Sequence, residues 1–94
     1  MFKDLNPLLH SQLRLAIVSY LISNGSSDFN ELKEVTKATS GNISVQLKKL
    51  ENENYITITK GFLNNYQRTS VEITKIGINA FEEYVKAIGG YIKK

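Results

Sequence analysis

Between residues 40 and 50 the chain sets Ser40, Asn42, Ser44 and Gln46 beside Val45, Lys48 and Lys49, with Ile43, Leu47 and Leu50 spaced three and four apart. The aliphatic trio shares one side of a helix, which leaves the polar set on the other. Hydroxyls and carboxamides near a helix start are short-reach donors and acceptors, and lysines one turn later are cations for phosphate oxygens. Such a set suits the edges of base pairs in a DNA major groove, which admits an α-helix. Asn42 can pair with adenine and Val45 can touch a thymine methyl, while Lys48 and Lys49 meet phosphates or the groove edge. Gly41 adds no bulk against a phosphate, and the amides at a helix N-terminus favour an anion. The competing reading is a solvated helix face with plain surface lysines.

A second cluster lies in "KGFLNNYQRT", where Lys60, Asn64, Asn65, Gln67 and Arg68 stand between two alternating apolar runs. An arginine gains from the negative potential of a narrow minor groove, and the amides can bond sugar or phosphate. Arg68 could instead pair with Glu72 across a hairpin. Tyr55 reads as a packing ring, Tyr66 is open between packing and phosphate contact, and His10 reads as structural or exposed.

Other chemistry finds little footing. With no cysteine and one histidine, disulfides, thiolate sites and histidine-rich metal sites are not expected, and neither is a cofactor. There is no Ser-His-Asp set, glycine-rich phosphate loop or paired carboxylate, so catalysis is not expected. The 94 residues form one domain, 1–94, and carry a net charge of +3. That charge is uneven: residues 37–75 hold six bases against three acids, while residues 1–36 hold three bases against four acids. A positive middle is what a nucleic-acid footprint would give. No apolar run nears the roughly 20 residues that cross a bilayer, and the start lacks a signal-peptide layout, so a cytoplasmic protein without membrane contact is expected.

The elements that must position these residues follow from caps and periodicity. Asn6-Pro7 predicts the start of a first helix, with Leu9, Leu13, Ala16, Ile17, Tyr20 and Leu21 as its stripe and Asn24-Gly25 as its stop. Ser26 and Ser27 are loop or a very short strand. Asp28 and Glu31 form a capping box for a short second helix with Phe29, Leu32 and Val35 inward. A break at residues 36–39 follows, and Ser40 caps the third helix, 40–54. Ile56 and Ile58, then Val71 and Ile73, alternate as the two strands of a hairpin whose tip, 59–70, holds Gly61 and Asn64-Asn65. Thr74 caps a last helix with Ile78, Phe81, Tyr84, Val85 and Ile88 on one stripe.

The fold class is therefore α+β, mainly α: a winged helix-turn-helix of order ααα-ββ-α, with a two-stranded wing and a C-terminal dimerisation helix. The stretches "LRLAIVSYL", "FNELKEVT", "SGNISVQLKKLENENYI" and "KGFLNNYQRTSVEITKIGINAFEEY" resemble the small single-domain MarR/ArsR-like winged-helix transcriptional regulators over nearly the whole chain, from Leu8 to Ile88. The runs L-K-K-L-E-x-x-x-Y-I and R-T-x-x-x-x-T-x-x-G-x-x-A-F carry the resemblance in combination. Val45 departs from it, since many members carry a more polar side chain there.

Four short elements leave the last stripe hard to cover, so a homodimer through Leu9, Phe81, Tyr84, Val85 and Ile88 is expected, as the resemblance also implies. Two third helices about one DNA turn apart, roughly 34 Å, would then meet a near-palindromic operator. Double-stranded DNA and a second copy of the chain are the expected partners, and the sequence is silent on a small-molecule effector. The rival is a winged helix that docks a partner protein; an acid-poor, basic outer side on the third helix argues against it.

Overall fold

Seven elements follow one another in the computed structural model, which describes residues 2–92 apart from the side chain of Leu63. They are α1 (Gln12–Asn24), β1 (Ser26–Asp28), α2 (Phe29–Thr36), α3 (Ser40–Asn52), β2 (Ile56–Leu63), β3 (Tyr66–Ile73) and α4 (Lys75–Gly89). The strands form one antiparallel sheet of order β1-β3-β2. Of the two readings for Ser26 and Ser27 the very short strand holds, and it adds a third strand to the two of the wing.

Asn6 does not cap α1. Its side-chain oxygen accepts from the amides of Leu8 (2.9 Å) and Leu9 (3.3 Å), closing a separate turn through Pro7. The backbone then extends at Ser11, whose hydroxyl accepts from the Arg14 amide and starts the helix five residues later than expected. Gly25, at φ 82°, ends it by donating to Leu21 O. Since α1 packs against α2, α3, α4 and the sheet, it buries Val18 as well as Ile17 and Leu21, a wider face than one stripe. Ala16 is exposed.

Asp28 caps α2 by accepting from Glu31 N–H at 2.7 Å. The Glu31 carboxylate accepts mainly from the Tyr20 hydroxyl and from Ser27 Oγ (3.0 Å), with the Asp28 amide a lesser partner. These bonds hold Glu31 below the ordinary carboxylate range and raise the Tyr20 hydroxyl. They also tie α2 to α1. Leu32 is buried and Phe29 half-buried, but Val35 is exposed, because an eight-residue helix has only one turn fully under α1. Lys37, in the left-handed region at φ 60°, turns the chain toward α3.

The cap of α3 is Thr39, which accepts from Asn42 N–H at 3.1 Å, so Ser40 is the first helical residue and not the cap. Ile43, Leu47 and Leu50 are at most 3% exposed and join Leu9, Ile17, Val18, Leu21, Leu32, Ile56, Val71 and Tyr84 in one core. Each such aliphatic side chain contributes about 1.5–3 kcal/mol through burial. After α3, Asn54 at φ 63° reverses the chain into β2. That corner is clamped: Thr74 Oγ1 donates to Asn54 O (2.6 Å) and Tyr55 O (3.0 Å) and accepts from Gly77 N–H (3.0 Å), capping α4. A Cβ on Gly77 would lie 2.4 Å from Tyr55 O, so the close approach of α4 to the α3–β2 corner requires glycine there.

Candidate nucleic-acid interface

The outward side of α3 is solvent-facing along its length. Ser40, Gly41, Asn42, Ser44, Val45, Lys48 and Lys49 are all exposed, and Val45 is 52% exposed. Lys48 meets Glu51 one turn later at 3.8 Å, an exposed pair of little net strength that a phosphate can replace. Gln46 is turned instead toward α1, where it accepts from Arg14 Nη1, and it donates to Asn42 Oδ1 at 2.9 Å. Arg14 is a neighbour of the candidate interface that sequence reasoning missed. Only the fold brings it 32 positions across to the third helix; the Asn42–Gln46 spacing of four was the one local signal.

The wing is a continuous ladder from Ile56↔Ile73 to Leu63↔Tyr66, so most of the stretch read as a tip is strand. Its turn is Asn64-Asn65 alone, both left-handed (φ 52° and 69°), which suits the twist of a two-residue hairpin. Alternation splits the wing residues between two faces. Lys60 and Gln67 share the face that begins with Ile56 and Ile58, and they line a groove of about 550 Å³ with Ser44, Leu47 and Lys48 of α3. Lys48, Ser44, Lys60 and Gln67 are therefore brought together.

Arg68 faces the other way. It pairs with Asp28 at 3.3 Å, across β3 and β1, and not with Glu72, which shares its strand and lies opposite Ser26 and Thr57. Half of the Arg68 side chain remains exposed. Asn64 and Asn65 sit at the exposed end of the hairpin beside two aromatic rings, Phe62 (79% exposed) and Tyr66 (77%). Tyr55 packs half-buried and accepts from Asn6 Nδ2 at 2.8 Å.

Of the five residues expected at a dimer contact, two are buried within the chain itself, although Tyr84 still edges the groove that three of the others line. Leu9 is fully buried inside its own chain. Tyr84 is 7% exposed, and its hydroxyl shares a 2.9 Å hydrogen bond with His10 Nδ1. Both Leu9 and Tyr84 belong to the chain's own core. Val85 (50% exposed) and the half-buried Phe81 and Ile88 remain along an apolar groove with Leu15 and Ser19 of α1.

Among the described residues no cluster of histidine, cysteine, aspartate or glutamate could hold a metal ion, and no helix is long and apolar enough to cross a membrane.

Comparison with known proteins agrees with this architecture. Uncharacterized protein MJ0432 of Methanocaldococcus jannaschii is 32% identical over 81 residues, which is 86% of this chain and 88% of that one. A transcriptional regulator homologue from Pyrococcus horikoshii OT3 has a similar structure, with a TM-score of 0.82 at 24% identity over 89% of this chain and 83% of that one. A MarR variant from E. coli, complexed with operator DNA, has a TM-score of 0.73 at 18% identity, with 88% of this chain and 59% of that chain covered. These two structures share the fold, as the MarR-like resemblance implies. The family model described as "Winged helix DNA-binding domain" matches residues 13–92, from α1 to beyond α4. The chain belongs to the winged helix DNA-binding domain family.

Proposed function

We propose that the protein is a homodimeric, sequence-specific regulator of transcription that places α3 in the major groove of duplex DNA and lays the wing against the neighbouring backbone or minor groove. The observation that carries this is the division of α3. Its aliphatic side is sealed in the core, while Ser40, Asn42, Ser44, Val45, Lys48 and Lys49 stand uncovered on the other. Helix-start hydroxyls and carboxamides supply base contacts, and the lysines supply phosphate contacts. Lys60 and Gln67 add a second wall beside Ser44 and Lys48, so both sides of the groove between helix and wing offer groups that bond phosphate, with Glu51 as its one acid, paired with Lys48. Asn64 and Asn65 carry the wing on toward the minor groove, and Arg68, on its other face, reaches the groove edge once it leaves Asp28. Val85, Phe81 and Ile88 supply the contact with a second copy, which calls for a near-palindromic operator. In this reading the protein works in the cytoplasm, free of membrane.

Binding to duplex DNA as salt is raised tests the proposal, first with random sequence and then with DNA upstream of the protein's own gene. If Lys48, Lys49, Lys60 and Arg68 of both subunits reach phosphates, the log–log slope is roughly −7. If the ion pairs of Lys48 and Arg68 persist in the complex, it falls to roughly −4. A slope near zero, or no binding at low salt, would falsify the proposal.

A further inference from the structure

Three side chains in a row fix which end of the Asn42 carboxamide is left to meet a base. Arg14 is anchored by its Nε, which donates to Leu8 O at 2.6 Å, and its Nη1 donates to Gln46 Oε1. A guanidinium has only donors and does not lose its charge, so the Gln46 atom against it is the carbonyl oxygen. The Gln46 amide nitrogen then points along α3 and donates to Asn42 Oδ1 at 2.9 Å. A carboxamide alone on a surface can flip and present either end; here the arginine settles the orientation of both. Asn42 Oδ1 is drawn back along the helix. Asn42 Nδ2, with its two hydrogens, has no hydrogen bond among the described residues and stands on the exposed side.

Resting on the DNA-binding reading above, we infer that Arg14 and Gln46 are positioning residues that commit Asn42 to donate. Asn42 then favours guanine, whose N7 and O6 both accept, over adenine, whose N6 amino group needs an acceptor. The side-by-side pairing with adenine uses Oδ1 and Nδ2 together, and the bond from Gln46 already engages Oδ1. The adenine contact expected from the sequence is replaced by a donor-only contact.

Selection from randomised duplexes followed by competition binding tests this. The position whose preference disappears in Asn42→Ala identifies the base that Asn42 meets. The wild type selects guanine there, and replacing it with 7-deazaguanine, which lacks the N7 acceptor, weakens binding by about fivefold or more, the low end for a good side chain–base pair. Gln46→Glu still accepts from Arg14 but cannot donate, so Asn42 flips to donate to it. The selected base then becomes one with an amino group, adenine or cytosine. Arg14→Lys keeps a donor and keeps guanine, whereas Arg14→Met admits adenine and guanine alike. A purely structural role would weaken all sites together and leave the chosen base unchanged. Adenine selected by the wild type, no position that responds to Asn42→Ala, or guanine retained by a specifically binding Gln46→Glu or Arg14→Met protein overturns the inference alone. A wild type that selects no sequence overturns the DNA-binding reading along with it.

Discussion

Helices α3 and α4 are both amphipathic, yet they leave opposite kinds of side chain in solvent. In α3 the aliphatic side is consumed by the core, and what remains outside is hydroxyl, carboxamide and lysine, with Val45 as the one exposed aliphatic side chain. In α4 only Gly77 and Tyr84 are buried, and Ile76 and Val85 stay half or more exposed on a helix that also carries Glu82 and Glu83. Helix periodicity alone makes the two look alike. The difference lies in what is left after the core is filled: an acid-poor polar ridge on one, an apolar strip edged by acids on the other. A polyanion is attracted to the first, whereas a second copy of the chain gains by covering the second.

The contrast breaks most visibly at the core side of α3. Leu47→Ala costs about 2–5 kcal/mol of stability through the cavity it leaves, while Val45→Ala, one turn face away, changes stability by no more than about 0.5 kcal/mol. Urea unfolding measures both; equal losses would mean that the two sides of α3 are not divided as described. On α4, Val85→Glu yields single chains in sedimentation and lowers operator affinity roughly a hundredfold, because two linked sites become one. An unchanged mass would place the dimer contact elsewhere.

The wing sharpens the comparison, since its best cation is held within the free protein. Asp28→Asn keeps a competent cap for α2 but releases Arg68 from its ion pair. The expected result is a several-fold gain in DNA affinity and a salt slope steeper by about 2 for the dimer. A slope that does not move would show that the pair with Asp28 is not what keeps Arg68 from a phosphate.

The smallest effect concerns the tie between α1 and α2. Tyr20 and Ser27 hold the Glu31 carboxyl below its ordinary range. A depressed carboxylate contributes stability above its unfolded pKa and loses it as pH falls through the folded one. Between about pH 5 and 3 the wild-type melting temperature should therefore fall slightly more than that of Tyr20→Phe, as read by thermal scans. Parallel curves would mean that the hydrogen bond adds nothing.

Periodicity and capping chemistry made the helix order, the burial of Ile43, Leu47 and Leu50, and the Asn64-Asn65 turn legible in the chain itself. Each depends on residues within a few positions of one another, and local sterics and hydrogen bonding act over that range. The boundaries slipped where two caps competed: Asn6 closed its own turn and left α1 to Ser11, and Thr39 took the cap from Ser40. Periodicity put Val35, Leu9 and Tyr84 on apolar stripes but could not say what covers each: Val35 is left exposed, while Leu9 and Tyr84 are covered within their own chain, because an apolar residue is buried only if another element happens to lie over it.

The amino-acid order by itself determined a basic, hydrogen-bonding helix face and a hairpin to follow it, since both arise from the spacing of neighbouring residues. Tertiary structure decided which of those groups are free to act. It set Asp28 against Arg68, stood Lys60 across a groove from Lys48, and ran Arg14 through Gln46 to Asn42. Those partners lie up to 40 positions apart, and no spacing rule reaches that far; only the packing of α1, α3 and the sheet brings them within hydrogen-bond range.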